Sequence, residues 1–402
     1  MQDNTRYNYF LSLTSQFYFC GIPYRLDTKP KCELNCGYCF AMSRGGRRTN
    51  TSLIADSKSL DRLFDKIDRH KVNSLNTELL SKKYPIHFGG MSDPFDSVDS
   101  IKISTGFLRV LMDRGYPTVL STKNTEALLS PKIIEIIRNF DKIIIQISFS
   151  SLSEKFTNIL EPNVPTALER IDHIKTLKKF NIPIVVRLQP IFPNLIEEIS
   201  NLLIPALNDA NIDHLILEHL KLPVERNISM IKEIEMKTGW NLYSIFEDCG
   251  AKLIGREWLL PNELKFRNIQ KIISNLSSSI TISYADYGLQ HFGDTKCCCG
   301  IDKFWINSNW FNGNIVNCIK ENSDLKICSI ELLDNFNYPK SSIARIMNSN
   351  SRKAGSNTIK SYLVNKWNSP GTINAPDHLL GVSYIGKDLN GNCLYNNNSD
   401  EI

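Results

Sequence analysis

The chain has 402 residues and a formal net charge of +5, from 47 lysine and arginine residues against 42 aspartate and glutamate residues. With 42% hydrophobic and 22% charged residues, its composition is typical of a globular protein and excludes a collagen-like or low-complexity chain. The pI of about 8.5 lies below the value of about 9 that marks a strongly basic nucleic-acid-binding domain.

The cysteine content points to metal binding or catalysis. Residues 7–24 lack charge but are too polar for a membrane span, and we see no secretory signal, so we expect a cytoplasmic protein without membrane association. The chain has eleven cysteines. In a reducing compartment, clustered cysteines usually serve metals or catalysis rather than disulfides.

Strand-like and helical segments alternate from residue 17 to about residue 220. The predicted strands cover residues 17–26, 84–89, 117–122, 142–149, 183–191 and 213–219, and the predicted helices cover residues 55–70, 102–114, 126–139, 165–180 and 195–208. Two of the strands are near-continuous β-branched runs, as expected for parallel strands buried on both faces. Six strand–helix units predict an α/β fold with a parallel sheet or barrel.

The alternation weakens after residue 220. One more helix, 262–277, and one more strand, 280–285, are predicted, and the remainder is richer in Asn, Ser, Gly and Cys. We therefore divide the chain into a barrel region (1–220), flanking helices and a strand (221–290), and an irregular, cysteine-containing α+β module (291–402).

Three cysteines directly follow the first predicted strand. Cys32, Cys36 and Cys39 have the spacing C-x3-C-x2-C, and Gly37 lies between them. Three thiolates from one tight loop can hold three irons of a cubane cluster and leave the fourth iron open for a ligand. Zinc is the alternative, but zinc sites favour pairs of closely spaced cysteines and four ligands, and no cysteine follows Cys39 until Cys249.

This motif resembles that of the radical S-adenosylmethionine superfamily. The resemblance implies a partial (β/α)6 TIM-like barrel and a [4Fe–4S] cluster whose open iron binds the methionyl amine and carboxylate of S-adenosylmethionine. It also implies reductive cleavage of this cofactor to a 5′-deoxyadenosyl radical, which abstracts hydrogen from a substrate, and a reducing electron donor such as flavodoxin or ferredoxin. The resemblance further implies that Tyr38 and Phe40 pack near the cofactor.

Later segments resemble the spore photoproduct lyase-like branch, also labelled DNA-repair photolyase-like. They are Ser92–Asp96, Thr122-Lys123, Leu160-Glu161-Pro162 with Arg170, and Pro190-Ile191-Phe192-Pro193, within about residues 17–220. Spore photoproduct lyases use a cysteine some tens of residues beyond the cluster, and this chain has none between Cys39 and Cys249. Thymine-dimer repair by that arrangement is therefore not expected.

Several residues at predicted strand ends are candidate cofactor contacts, because that edge is the functional face of a barrel. Gly89 and Gly90 allow a ligand to touch the backbone. Family members often have Gly-Gly-Glu there, whereas this chain has Met91, so Asp93 is the candidate substitute, with an ordinary turn as the alternative. The other candidates are Thr122, Lys123, Ser148, Ser150, Arg187 and Gln189. Arg187 and Gln189 share a strand face, and the partner of Arg187 is either the cofactor carboxylate or one of Glu161 and Glu218.

A second cysteine group follows residue 296. Cys297, Cys299, Cys318 and Cys328 are candidate ligands of an auxiliary iron–sulfur cluster or zinc ion. Alternatively, Cys298 or Cys299, with Tyr284 or Tyr287, serves as a catalytic group that quenches a radical, or the cysteines are structural. If this segment is a strand, Cys297 and Cys299 share a face that Cys298 does not.

The substrate is left open by the sequence. We expect it between the barrel and the C-terminal module. Residues 340–366 contain six basic residues and no acidic ones, and they are interleaved with Tyr338, Tyr362 and Trp367. Basic residues with aromatic stacking partners hold single-stranded nucleic acid, so repair or base modification is one alternative and a solvated surface another. A non-catalytic metal-binding scaffold is the alternative from a different class.

Overall fold

A single eight-stranded sheet organises the barrel region in the computed structural model. The structure describes residues 7, 10–14, 16–39, 54–226, 228–305, 309–343, 358–373 and 375–397. The strands of this sheet, in spatial order, are β1 (Leu11–Leu13), β2 (Tyr24–Leu26), β3 (Ile86–Phe88), β4 (Thr118–Thr122), β5 (Ile143–Phe149), β6 (Ile184–Ile191), β7 (His214–His219) and β11 (Thr281–Tyr284). β1 is antiparallel to β2, and each later strand is parallel to its neighbour. The predicted six-unit α/β fold is confirmed, with β11 as a seventh parallel strand.

Helices cover the outer face of this sheet. Those within the barrel region are α1 (Ser57–Asp68), α2 (Leu75–Ser81), α3 (Val98–Asp113), α4 (Thr125–Leu128), α5 (Pro131–Arg138), α6 (Glu154–Leu160), α7 (Ala167–Lys178), α8 (Ile196–Glu198) and α9 (Ile204–Asp209), with a π-helical segment at Ile199–Leu203 between the last two. The flanking helices are α10 (Ser229–Thr238), α11 (Leu242–Asp248) and α12 (Asn262–Ile273). None of the described helices is long and apolar enough to cross a membrane.

The two faces of the sheet carry different side chains because strand residues alternate. On β5, Ile145 and Ile147 pack into the main core beneath the helices, whereas Ile144 belongs to a separate small cluster inside the barrel. Gln146 also faces the interior, since its amide donates to the Ser121 hydroxyl of β4 at 2.8 Å. The near-continuous apolar runs of the sequence therefore have two causes. One face of the sheet is covered by helices, and apolar residues on the other face close the barrel at the amino ends of the strands, which we call the barrel floor.

The remaining elements form two small sheets and three helices. One sheet consists of β8 (Leu222–Pro223), β10 (Glu257–Leu259) and β9 (Lys252–Ile254), and the other consists of β12 (Ile327–Cys328), β14 (Cys393–Asn396) and β13 (Ser383–Lys387). The helices are α13 (Ile315–Lys320), α14 (Ile359–Trp367) and α15 (Pro376–Leu380). The predicted α+β character of the C-terminal module is thus confirmed for its described residues.

The C-terminal module packs along the open side of the barrel and under its floor. The chain after β11 runs back beside that strand, where the Asp294 amide donates to the Ile282 carbonyl. The next residues enter the interior at the amino ends of the strands, where Cys297, Cys299 and Ile301 are buried in one apolar cluster with Val119, Ile144, Val185 and Ile216. We call Cys297–Ile301 the plug. Below it, the Trp310 indole donates to the Cys20 carbonyl at 3.0 Å.

Candidate functional site

The loop that carries Cys32, Cys36 and Cys39 lies at the carboxyl end of β2. Cys36 is buried and the other two cysteines are half-buried. The Gly37 amide donates to the Leu160 carbonyl at 2.9 Å, which ties the loop to the end of α6. A Cβ on Gly37 would lie 2.9 Å from the Ile234 side chain, so glycine is needed here for close packing against α10.

Burial dominates the electrostatics of the Cys32 and Cys36 thiols. It raises the pKa of Cys36 to about 12 and the pKa of Cys32 further still, with the Asp93 carboxylate adding to the effect on Cys32. The Lys123 ammonium opposes the rise at Cys36. Cys32 and Cys36 are therefore neutral thiols until a cation displaces their protons, as metals bound by thiolates do.

The Gly89–Asp93 turn lies beside this loop. Gly89 has φ of +92°, and a Cβ there would lie 2.4 Å from the Ser121 carbonyl oxygen, so only glycine fits. The Met91 amide donates to Asp27 at 2.7 Å, which fixes the turn over β2. The Asp93 amide faces the Cys32 sulfur at 3.5 Å, so the turn and the cysteine loop are direct neighbours.

The Asp93 carboxylate links the Gly89–Asp93 turn to the end of β4. It accepts hydrogen bonds from the Thr122 hydroxyl at 2.9 Å, the Lys123 amide at 2.7 Å and the Phe95 amide at 2.9 Å. Burial raises its pKa to about 6, against the opposing effect of these donors. Asp93 and Thr122 thus join the turn to the end of β4, and a role of either residue toward the cofactor stays a prediction.

A buried carboxylate organises the other side of the cysteine loop. Glu161 pairs with Arg170 at 2.5 Å and with Lys123 at 2.9 Å, and the Tyr38 hydroxyl donates to it. The Ser150 hydroxyl also donates to it, at 3.1 Å. Although burial opposes ionisation, the Arg170 and Lys123 charges hold the pKa of Glu161 down at about 2. The Leu-Glu-Pro and Arg motif is therefore an ion pair that positions Tyr38 and Lys123 at the loop.

Arg170 also fixes the end of β5. Its second terminal nitrogen donates to the Ser148 carbonyl at 2.5 Å. Ser148 and Ser150 thus lie at the predicted strand end, and Ser150 uses its hydroxyl for Glu161. A contact of either residue with a cofactor ribose stays a prediction.

A polar layer fills the barrel interior between the cysteine loop and the plug. Arg187 bonds to Gln189, as their shared face predicts, and pairs with Glu218 at 3.0 Å. His87 approaches the Ser121 hydroxyl at 2.6 Å, and burial lowers the pKa of this histidine to about 4, which keeps it neutral. Of the three partners considered for Arg187, the structure shows Glu218.

One acceptor in this polar layer has no partner among the described residues. Gln146 uses its amide nitrogen on Ser121, but its side-chain oxygen is buried without a hydrogen bond. A buried polar atom without a partner costs stability, so a hydrogen-bond donor from a bound molecule would be favourable here.

The second cysteine group assembles differently from the expected auxiliary site. The Cys318 thiol donates to the Asn312 carbonyl at 3.3 Å, and both Cys318 and Cys328 are buried in the main core. Instead, the Sγ atoms of Cys20, Cys298 and Cys299 lie within 4.8 Å of one another. Residues 297–299 form a bend and a turn rather than a strand, so the expectation that Cys298 faces away from Cys299 is wrong.

The remaining predicted residues are distributed as follows. Tyr284 is buried on the helix-covered side of β11, and burial raises its pKa to about 12. Phe40 lies outside the described residues, as do 344–357 of the basic stretch. Tyr338, Tyr362 and Trp367 are buried, and their stacking on nucleic acid stays a prediction.

Cys298 and Cys299 lie at the end of the barrel opposite the cysteine loop. Their catalytic role stays a prediction, as does that of Tyr284. A nucleic-acid substrate also stays a prediction.

Sequence reasoning missed two features of the interior, because it gave no role to Cys20 or to His87. It included Glu218 among the candidate partners of Arg187. The inward positions of His87 and Glu218 follow from the period of two on their strands, so that signal was present. Nothing in the sequence spacing links Cys20 to Cys298.

The fold and site define a class: an α/β partial barrel with a three-cysteine loop at the carboxyl ends of its strands. No family model matches the chain. The uncharacterized protein ORF301 of Acidianus two-tailed virus is 26% identical over 129 residues, which span 30% of this chain and 42% of that relative. The match therefore covers less than half of the relative's length.

Solved structures with a similar arrangement include spore photoproduct lyase. Its complex with dinucleoside spore photoproduct has a TM-score of 0.46 and 12% identity, over 68% of this chain and 81% of that chain, and a variant with bound AdoMet scores 0.47 at 14% identity, over 67% and 80%. Streptococcus suis SuiB bound to S-adenosylmethionine scores 0.40 at 14% identity, over 66% of this chain and 51% of that chain.

Proposed function

We propose that this protein is a radical S-adenosylmethionine enzyme that holds a [4Fe–4S] cluster on Cys32, Cys36 and Cys39. The observation that carries the proposal is the position of these cysteines. They leave the carboxyl end of β2 in one loop, which contacts the Gly89–Asp93 turn through Cys32 and the Lys123–Glu161 pair through Tyr38. That edge is where parallel barrels place their catalytic groups.

The donor set fits an iron–sulfur cluster better than zinc. Cluster irons are bound by thiolates, and this loop offers three thiols and no histidine. A single zinc ion draws its ligands to one point, with Zn–S bonds of about 2.3 Å. Within the described ranges, the cysteines that meet at single-ion spacing are Cys20, Cys298 and Cys299, and the loop cysteines do not form such a group. Thiolates on three separate irons need no such convergence.

When bound, the cluster would supply the electron that cleaves a sulfonium C–S bond of S-adenosylmethionine and gives the 5′-deoxyadenosyl radical. The chain's own residues then have to hold the cofactor and keep water away. Lys123 and Arg187 provide positive charge and Glu218 negative charge toward the interior, which suits the carboxylate and amine of a methionyl group. Gly89 and Gly90 keep the neighbouring backbone free of side chains.

The polar layer below the cysteine loop would receive the substrate. The unpartnered Gln146 oxygen and the neutral imidazole of His87 can bond to a donor without adding charge. Because the floor is closed by the plug, a ligand here is shielded from solvent from below. We infer a reducing protein such as flavodoxin or ferredoxin as the electron source.

The experiment is an anaerobic assay for 5′-deoxyadenosine. The protein is reconstituted with iron and sulfide, reduced with dithionite and incubated with S-adenosylmethionine. We expect about four irons per chain and formation of 5′-deoxyadenosine, both lost in the C32A/C36A/C39A variant. Cys249→Ala, at a half-buried cysteine on the end of α11, is the matched control and should keep both. A fully loaded cluster without any 5′-deoxyadenosine would contradict the proposal.

A further inference from the structure

Three cysteines from distant parts of the sequence meet at the barrel floor. The Sγ atoms of Cys20, Cys298 and Cys299 all lie within 4.8 Å of one another, and those of Cys298 and Cys299 are 3.8 Å apart. Cys20 precedes β2 at its amino end, and the other two belong to the plug. This group is separate from the cysteine loop, which lies beyond the carboxyl end of β2.

We propose that Cys20, Cys298 and Cys299 form a second metal site, which binds one zinc ion and anchors the plug in the barrel. The spacing fits a single ion. Zn–S bonds of about 2.3 Å in tetrahedral geometry put neighbouring sulfurs about 3.8 Å apart. The separation of the Cys298 and Cys299 sulfurs has this value. Soft thiolate ligands select zinc over hard cations such as magnesium.

The backbone around the group is held in place independently of any ion. The Ile22 amide donates to the Cys20 sulfur at 3.4 Å, and the Ser283 hydroxyl of β11 donates to the Cys298 carbonyl at 2.7 Å. Gly300 has φ of +65°, and a Cβ there would lie 2.2 Å from the His214 ring, so the plug turn requires glycine. Two of the three thiols are therefore presented by a turn whose backbone is already fixed by these contacts.

The charge balance also favours a divalent ion. Three thiolates and one Zn²⁺ leave a single net negative charge, and Arg187 lies close enough for its guanidinium to interact with both Cys298 and Cys299. The apolar residues Ile22, Ala285 and Ile301 pack in the same cluster, where Cys299 is buried and Cys20 and Cys298 are half-buried. Three protein ligands leave one tetrahedral position for a non-protein ligand.

The experiment uses the C32A/C36A/C39A protein, which lacks the cysteine loop thiols, so its result does not depend on the proposed function. The reduced protein is stripped with a chelator and titrated with Co²⁺ and then with Zn²⁺. We expect one Co²⁺ per chain, a thiolate-to-cobalt charge-transfer band in the near ultraviolet, strong tetrahedral bands in the visible, and loss of all of them when Zn²⁺ displaces the cobalt. The melting temperature should rise with Zn²⁺.

Substitutions decide which thiols bind. In the same background, Cys20→Ala, Cys298→Ala and Cys299→Ala should each abolish the charge-transfer band and the rise in melting temperature, whereas Cys318→Ala and Cys249→Ala should keep both. If the reduced C32A/C36A/C39A protein binds neither Co²⁺ nor Zn²⁺ while its circular dichroism spectrum is intact, the proposal is overturned. It is also overturned if metal binding survives Cys298→Ala. A Cys20–Cys299 disulfide recovered from protein that was alkylated anaerobically without reductant would overturn it as well.

Discussion

Substitution of Glu161 by Gln tests the buried ion pair beside the cysteine loop. The pKa of Glu161 is about 2, compared with an ordinary value of 4.5, because Arg170 and Lys123 outweigh the burial that opposes ionisation. At about 1.4 kcal/mol for each pH unit, the difference of about 2.5 corresponds to about 3 kcal/mol of folding free energy. Removing one partner of a buried ion pair typically costs about 3–5 kcal/mol, which agrees with this value.

The stabilising contribution of the Glu161 carboxylate decreases as the pH falls. The folded pKa is depressed, so the contribution is present in full above pH 4.5 and is lost as the pH falls toward 2. We expect Glu161→Gln to lower the free energy of unfolding by about 3 kcal/mol at pH 7 and by about 1 kcal/mol at pH 3.

The measurement is urea unfolding, followed by circular dichroism, of the reduced apo protein and the variant at several pH values. Glu169→Gln is the control, because Glu169 is an exposed residue in the capping box of α7 and its loss should cost at most about 1 kcal/mol. A difference below about 1 kcal/mol at pH 7, or one that does not shrink between pH 5 and pH 3, would refute the reasoning.

Two further substitutions test the neighbouring contacts. Gly89→Ala should lower the free energy of unfolding in urea by roughly 2–4 kcal/mol, because its Cβ would lie 2.4 Å from the Ser121 carbonyl oxygen. Gly115→Ala is the control and should cost only about 1 kcal/mol, because Gly115 has φ of +54° but open space around it. Equal costs for the two substitutions would contradict the close approach at Gly89. Tyr38→Phe removes a hydrogen bond to the Glu161 carboxylate and should cost roughly 1.5–3 kcal/mol. It should still bind about four irons after reconstitution, and loss of the iron would assign Tyr38 to holding the cluster loop instead.

The parallel strands were predictable from the sequence because their side chains obey a simple rule. β5 and β6 are buried on both faces, so β-branched residues run through them almost without interruption, and both strands match their predicted positions within one residue. The first predicted strand, 17–26, was too long. Residues 16–19 form a turn whose aromatic side chains, such as Phe17 and Tyr18, pack on α14 through Tyr362 rather than entering the sheet. Apolar composition alone does not distinguish a strand of the sheet from a buried aromatic turn.

The candidate site was predictable where it depends on local spacing and not where it depends on long-range contacts. The cysteine loop and the glycine turn each lie within a few residues, and the parallel strands bring them together at one edge. The meeting of Cys20 with Cys298 depends on the path of the chain after β11, which carries no periodic signal. The burial of Trp367 also depends on a long-range contact, because its indole donates to the Cys393 carbonyl on β14.

The closed floor determines how the interior is reached. Val119, Ile144, Val185 and Ile216 pack with the plug at the amino ends of the strands, so the described residues fill the barrel below the polar layer. We therefore expect a molecule that bonds to Gln146 to enter from the carboxyl ends, past the cysteine loop. This order places the proposed cluster between the solvent and the bound molecule, so that an electron donor docked at the carboxyl ends would lie near the cluster. A zinc ion at Cys20, Cys298 and Cys299 would hold the plug in place and so help to keep water out of the barrel at the amino ends of the strands.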